Sequence, residues 1–192
     1  MKPHFLLITS ALCMTLSLQA CAPVLVAGAA TGASVANDRR TAGTVLEDQT
    51  IELKAVGAIQ GDEELSKSAH VSITSFNNVV LVTGQTPARG LRDRVLSLIN
   101  SIDKVRRIHN EISIEEPTSL KTRSNDTWVT TKVKSTLLGA KGLEAVHIKV
   151  ITENGVVYLM GLVTHQDGDT AAKTVQQVKG VQRVVKVFEY LD

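Results

Sequence analysis

The sequence predicts an α+β protein built from two tandem domains. Each runs αββαβ, with a three-stranded mixed sheet covered by two helices. Three observations carry this prediction. First, the chain repeats itself: His70-Val71-Ser72-Ile73 aligns with His147-Ile148-Lys149-Val150 at an offset of 77, and Val79-Val80-Leu81-Val82-Thr83-Gly84 aligns with Val156-Val157-Tyr158-Leu159-Met160-Gly161. Two copies are too few for a stacked solenoid, so they read as two similar domains. Second, each copy holds a two-residue turn between alternating apolar runs, Asn77-Asn78 and Asn154-Gly155, and Asn-Gly is the strongest short hairpin signal. Third, apolar residues recur at helical spacing on either side of each hairpin.

Taken in order, residues 1–20 read as a lipoprotein signal peptide. Lys2 is the only charge before Asp38, an apolar stretch follows from Phe5, and Leu18-Gln19-Ala20-Cys21 closes it. A basic start, an apolar core and a small residue before a cut describe a secretory leader. The cysteine directly after Ala20 resembles the lipobox of bacterial lipoproteins, which makes Cys21 the expected lipid-attachment residue. An uncleaved membrane anchor is the alternative, because residues 5–36 are uncharged and long enough to span a bilayer. Pro23 and six Ser/Thr residues stand against it. Residues 21–45 read as the lipidated N-terminus and a flexible Ala/Gly tether. With Cys13 removed in the leader, Cys21 is the sole cysteine of the mature chain. No internal disulfide and no cysteine-based zinc site can form.

The first domain is expected over 46–116, a linker over 117–125 and the second domain over 126–192. Asp48 and Asp126 read as N-caps of the first helices, followed by the sets Ile51, Ala55, Ile59 and Val129, Val133, Leu137. In the hairpins, Val71, Ile73, Val80 and Val82 share one sheet face, as do Ile148, Val150, Val157 and Leu159. The second helices carry Val95, Leu98, Ile99 and Ile102, and Ala171, Ala172, Val175 and Val178. The last strands are Ile108–Ile114 and Val184–Tyr190. Each is joined by a crossover that should be right-handed and hence parallel to its neighbour. Phe76 and Leu81, with Ile151, Tyr158 and Met160, fall on the opposite sheet faces. Those faces are expected to pack against one another, since domains of about 70 residues have marginal cores.

Composition narrows the function. Aromatic residues make up 3% of the chain and the net charge is +2, too few rings for a single-strand stacking platform and too little charge for polyanion binding. No nucleic acid partner is expected. The small net charge hides an asymmetry. Residues 46–120 hold eight Lys/Arg against eleven Asp/Glu, whereas residues 121–192 hold ten against seven. A basic domain beside anionic lipid gains about 1 kcal/mol for each lysine or arginine near the surface.

On the helix beginning near Asp126, Val129, Val133 and Leu137 form the core stripe. Trp128, Lys134, Ser135 and Leu138 fall on the other side, with Lys132 flanking. Trp128, Lys132, Lys134, Ser135 and Leu138 are therefore the candidate phospholipid-binding residues, because tryptophan favours the headgroup boundary. The first domain has Thr50 and Gln60 at the positions of Trp128 and Leu138 and lacks the wedge. The alternative is that Trp128 packs on the core or the interdomain seam. No metal site is expected: His70 and His147 are equivalent positions of separate repeats, and zinc needs three or four convergent ligands. His165 is placed in a solvated loop. Asp167 and Asp169 lack the other ligands of a calcium loop. No nucleophile–base pattern is present, so no catalytic residue, no cofactor and no enzymatic activity are expected.

These features together resemble the BON domain. The resemblance rests on the repeated hairpins, on Gly84 and Gly161 placed after the second strand, on Asn37-Asp38-Arg39-Arg40, and on the run Ser124-Asn125-Asp126-Thr127-Trp128-Val129-Thr130-Thr131-Lys132-Val133. With the lipobox, the whole chain is similar to dual-BON outer-membrane lipoproteins. The resemblance implies an outer-membrane anchor facing the periplasm and binding of an anionic phospholipid membrane through the second domain. It also implies support of envelope integrity, with enrichment at division sites. The competing expectation is an adaptor that binds an outer-membrane assembly or cell-division protein.

Overall fold

The computed structural model describes residues 38–192; the expectations for the leader, Cys21 and most of the tether fall on residues 1–37, outside them. Residues Arg39–Asp192 form one compact unit that closes its own cores. In chain order it contains α1 (Ala42–Gln60), α2 (Glu63–Ser68), β1 (His70–Phe76), β2 (Val79–Thr86), α3 (Arg89–Asn100) and β3 (Arg107–Ile114). There follow α4 (Leu120–Leu138), a 3₁₀ turn (Ala145–His147), β4 (Ile148–Glu153), β5 (Val156–Val163), α5 (His165–Gln176) and β6 (Arg183–Tyr190).

Each domain has a three-stranded mixed sheet, as expected, with its second strand in the centre. β2 lies between β1, antiparallel, and β3, parallel; β5 lies likewise between β4 and β6. Both hairpins turn where expected, with positive φ at Asn77 and Asn78 and at Asn154 and Gly155, as a type I′ turn requires. The first domain differs by one element. Asp62 caps the short α2 by accepting from the N–H groups of Glu64 and Leu65, and Leu65 is buried beneath it. Gly84 and Gly161, expected after the second strands, lie within β2 and β5. A Cβ at either would fall 2.0 Å or 2.4 Å from the carbonyl oxygen of His70 or His147, so the neighbouring backbone can approach only a glycine.

The expected N-caps are corrected. α1 starts at Ala42 behind Thr41, whose hydroxyl accepts from Thr44 N–H, and α4 starts at Leu120 behind Ser119, which accepts from Thr122 N–H. Helix thus begins inside the stretches read as tether and linker. Asp48 and Asp126 sit mid-helix, buried, and serve the hairpins instead. Asp126 accepts from the backbone N–H groups of Asn154 and Gly155 at 2.8 and 2.9 Å. Asp48 accepts from Asn77 and Asn78 N–H, each at 2.8 Å, and from Ser75 Oγ and Arg40. A carboxylate is short, buried and acceptor-only, which suits a turn that points two N–H groups at the helix.

Three apolar clusters stack through the unit. Ile51, Ala55, Leu65, Val80, Val82, Val95 and Ile99 fill the space between α1–α3 and the first sheet. Val129, Val133, Leu137, Val150, Val157, Leu159 and Val175 do the same for α4, α5 and the second sheet. Between the sheets lie Phe76, Val79, Leu81, Tyr158, Met160 and Val187. The order of layers is therefore helices, sheet, sheet, helices, and α1 and α4 lie in opposite outer layers. Polar links rim the seam: Gln85 donates to Glu153 at 2.8 Å, Lys149 pairs with Glu52 at 3.0 Å and Arg106 with Glu189 at 2.7 Å. Burial pushes the Tyr158 phenol up, reinforced by the Glu111 charge beside it. Arg39 and Arg40, read as part of the tether, are structural. Arg39 donates to the Leu162 carbonyl in the second domain, and Arg40 bridges Asp48 and the Phe76 ring.

Candidate functional site: the outer face of α4

α4 is about 28 Å long at 1.5 Å per residue. Its inner face, Val129, Val133 and Leu137, is fully buried. Its outer face carries Trp128, 61% exposed, and Leu138, 67% exposed. Exposure of the indole corrects the alternative in which Trp128 packs on the core or seam. The helix contains one acidic residue, Asp126, and that side chain is turned inward onto the hairpin. The outer face thus presents Lys121, Lys132 and Lys134 with no carboxylate. On α1 of the first domain the acids Glu47 and Glu52 lie beside the core stripe, so the two helices differ in charge as well as in the indole.

The five expected residues divide between two grooves. Trp128, Lys132 and Ser135 border an open groove of about 430 Å³, closed on its far side by Gln177, Val178 and Lys179 after α5. Lys134 and Leu138 border a smaller one of about 170 Å³ with Ala145 and Val146. The two lysines are in different states. Lys134 is exposed, whereas Lys132 is half-buried, donates to the Lys179 carbonyl at 2.5 Å and lies 5.8 Å from the centre of the Trp128 ring.

Two exposed apolar residues of this surface escaped the sequence reading. Leu120, 78% exposed, lies eighteen residues before Leu138, five helical turns, and so on the same side. A helix read from Asp126 onward does not reach it, which hides it in the sequence pattern. Val146, 64% exposed, comes from the 3₁₀ turn and has no periodicity to betray it. Three histidines are held by neighbouring side chains. His70 Nδ1 lies 3.5 Å from Arg123, and His147 pairs with Glu144. His165, expected in a solvated loop, is instead the first residue of α5. It stacks on Tyr190 and bonds Asp192, whose carboxyl is held below the usual carboxylate range by the two hydrogen bonds from His165. Among the described residues no three His, Cys, Asp or Glu side chains converge as metal ligands, and no helix is long and apolar enough to cross a membrane.

Comparison with known proteins adds identity to this geometry. The BON domain model matches residues 47–116 and 125–192. The chain is 36% identical to the outer membrane lipoprotein DolP of Haemophilus influenzae, over 93% of this chain and 92% of that protein. It is 34% identical to the 21 kDa hemolysin of Actinobacillus pleuropneumoniae, over 80% and 79% of the two chains. The osmotically-inducible protein Y of Escherichia coli is 26% identical over 81% and 80%. Two matched domains, two helix-covered three-stranded sheets joined face to face, and a relative aligned over 93% of this chain agree: the chain belongs to the BON domain family, as a DolP-like protein with two BON domains in tandem.

Proposed function

We propose that the protein is an outer-membrane lipoprotein, acylated at Cys21 and facing the periplasm. Its second BON domain rests on anionic phospholipid through α4, and it supports envelope integrity by binding rather than by catalysis. The observation that carries this reading is the outer face of α4: an exposed indole and exposed Leu120 and Leu138 among lysines, with the only carboxylate of the helix turned inward. Apolar side chains at this depth enter the headgroup boundary, and lysines beside them favour anionic phosphates. The name of the H. influenzae relative supports the address.

Co-sedimentation of residues 22–192 with vesicles tests it. Binding is expected to rise with phosphatidylglycerol content and fall with salt, and Trp128 emission to shift blue. Trp128→Glu should abolish binding while the chain stays folded, because the position is outside the buried stripe. Salt-independent or absent binding would refute the reading. A second reading, an adaptor for an outer-membrane assembly or division protein, draws support from α1. Leu46, Leu53 and Val56 are exposed there, in the layer opposite α4. Pull-down of one such partner that is lost with Leu53→Glu, without vesicle binding, would favour it.

A further inference from the structure

We propose that Lys132 is a positioning residue that sets the Trp128 ring at the rim of its groove, rather than a cation that draws the protein to anionic lipid. The proposal rests on the reading of α4 as the membrane-facing surface. The Lys132 ammonium already has partners. It donates to the Lys179 carbonyl, just past the C-terminal end of α5, and stands 5.8 Å from the centre of the indole ring. A cation is favoured at a helix C-terminus and over an aromatic face, so both contacts hold it where it is. Turning it toward a lipid phosphate would break a charge-assisted hydrogen bond.

The loop after α5 comes close enough for this bond because Gly180 follows Lys179. Gly180 has φ +106°, and a Cβ there would lie 3.0 Å from Val129 Cγ2 and 3.5 Å from Lys132 Nζ. The first domain supplies an internal comparison. Lys54 occupies the repeat position of Lys132, but Thr50 stands for Trp128 and Lys104 for Gly180. Among the described residues no hydrogen bond joins Lys54 to its loop. The link from lysine to loop is thus present in the copy that has the indole and missing from the copy that lacks it. Its effect is to order the ring before any lipid arrives, so that less side-chain freedom is lost on contact. Long-range attraction then falls to Lys134, which is exposed, and to Lys121.

The test compares Lys132→Met, Lys132→Arg and Lys134→Met in residues 22–192, which retain the whole compact unit. Methionine keeps the length of the side chain and removes the charge and the donor; arginine keeps both. In lipid-free protein, Lys132→Met is expected to lower the fluorescence anisotropy of Trp128 and to raise its quenching by acrylamide. Lys134→Met should change neither, and Lys132→Arg should restore wild-type values. On mixed phosphatidylglycerol–phosphatidylcholine vesicles, Lys134→Met should weaken binding about fivefold at low salt, with the loss vanishing at high salt. Lys132→Met should weaken it at both. Lys132→Met indistinguishable from Lys134→Met in quenching and in salt dependence would overturn the proposal. If the wild-type chain ignores vesicles, the reading of α4 falls instead, and the lipid-free quenching still decides what Lys132 does to the ring.

Discussion

Replacing Asp126 by alanine removes the one group that joins the middle of α4 to the β4–β5 turn. Asp126 is 5% exposed, and its carboxylate accepts from Asn154 and Gly155 N–H at 2.8 and 2.9 Å. A hydrogen bond to a charged acceptor contributes about 1.5–3 kcal/mol when its loss strands a buried donor. The Gly155 donor is buried, whereas Asn154 reaches solvent and can recover part of its bond from water. The expected loss is therefore about 3 kcal/mol, below the sum of two full bonds. For a chain of this size that lowers Tm by about 6–12 °C. Asp126→Asn should cost roughly half as much, because the amide oxygen still accepts one N–H while its NH₂ faces the other. Asp48→Ala should cost more than Asp126→Ala, since it also removes the acceptor of Ser75 Oγ and one ion-pair partner of Arg40. Thermal unfolding followed by circular dichroism measures the shift, and amide exchange at Asn154 and Gly155 localises it. A Tm change under about 2 °C with unchanged exchange at those two amides would refute the account of the brace.

Three further outcomes follow from the same structure. Gly155→Val should lower Tm, because φ is +74° there and a Cβ would fall 2.7 Å from the Gln182 side chain; an unchanged transition would contradict the type I′ turn. Stability should decline as pH falls below about 6.5: burial, then Arg107, lowers the His109 pKa, so the folded state binds fewer protons than the unfolded chain and loses ground as protons are added. His109→Gln should flatten that decline, as urea titrations between pH 7 and 5 would show, and an equal slope in the variant would count against it. Intact-mass analysis of the mature protein should find Cys21 at the N-terminus and acylated, and Cys21→Ala should yield an unlipidated chain; an unmodified chain starting at Met1 would exclude the anchor.

The sheet topology, both turns and the outward Trp128 were legible because period and turn chemistry are local. The alternation Val71–Ile73 and Val80–Val82 sets a face, and Asn154-Gly155 sets a register, with no reference to the rest of the molecule. What was not legible depends on who meets whom. Asp48 and Asp126 look like caps because an acid before an apolar stripe is the usual cap signal. Only the hairpin packed against the helix reveals that the acid is a mid-helix acceptor. Lys132 and Lys134 look alike in sequence and differ because a loop forty-seven residues away supplies a carbonyl to one of them. Arg39 and Arg40 sit in a stretch of small residues that reads as tether, yet Arg39 bonds a carbonyl of the far domain.

The face-to-face seam also bears on how this pair of domains can change over time. Phe76 and Leu81 on one sheet and Tyr158 and Met160 on the other are each dry only because the sister copy is present. Each copy thus gives one of its two sheet faces to the other. Losing either one by truncation would leave a broad sticky plane rather than a smaller working protein. The halves can differ in charge and in their outer helices, yet each needs the other to keep its inner face dry.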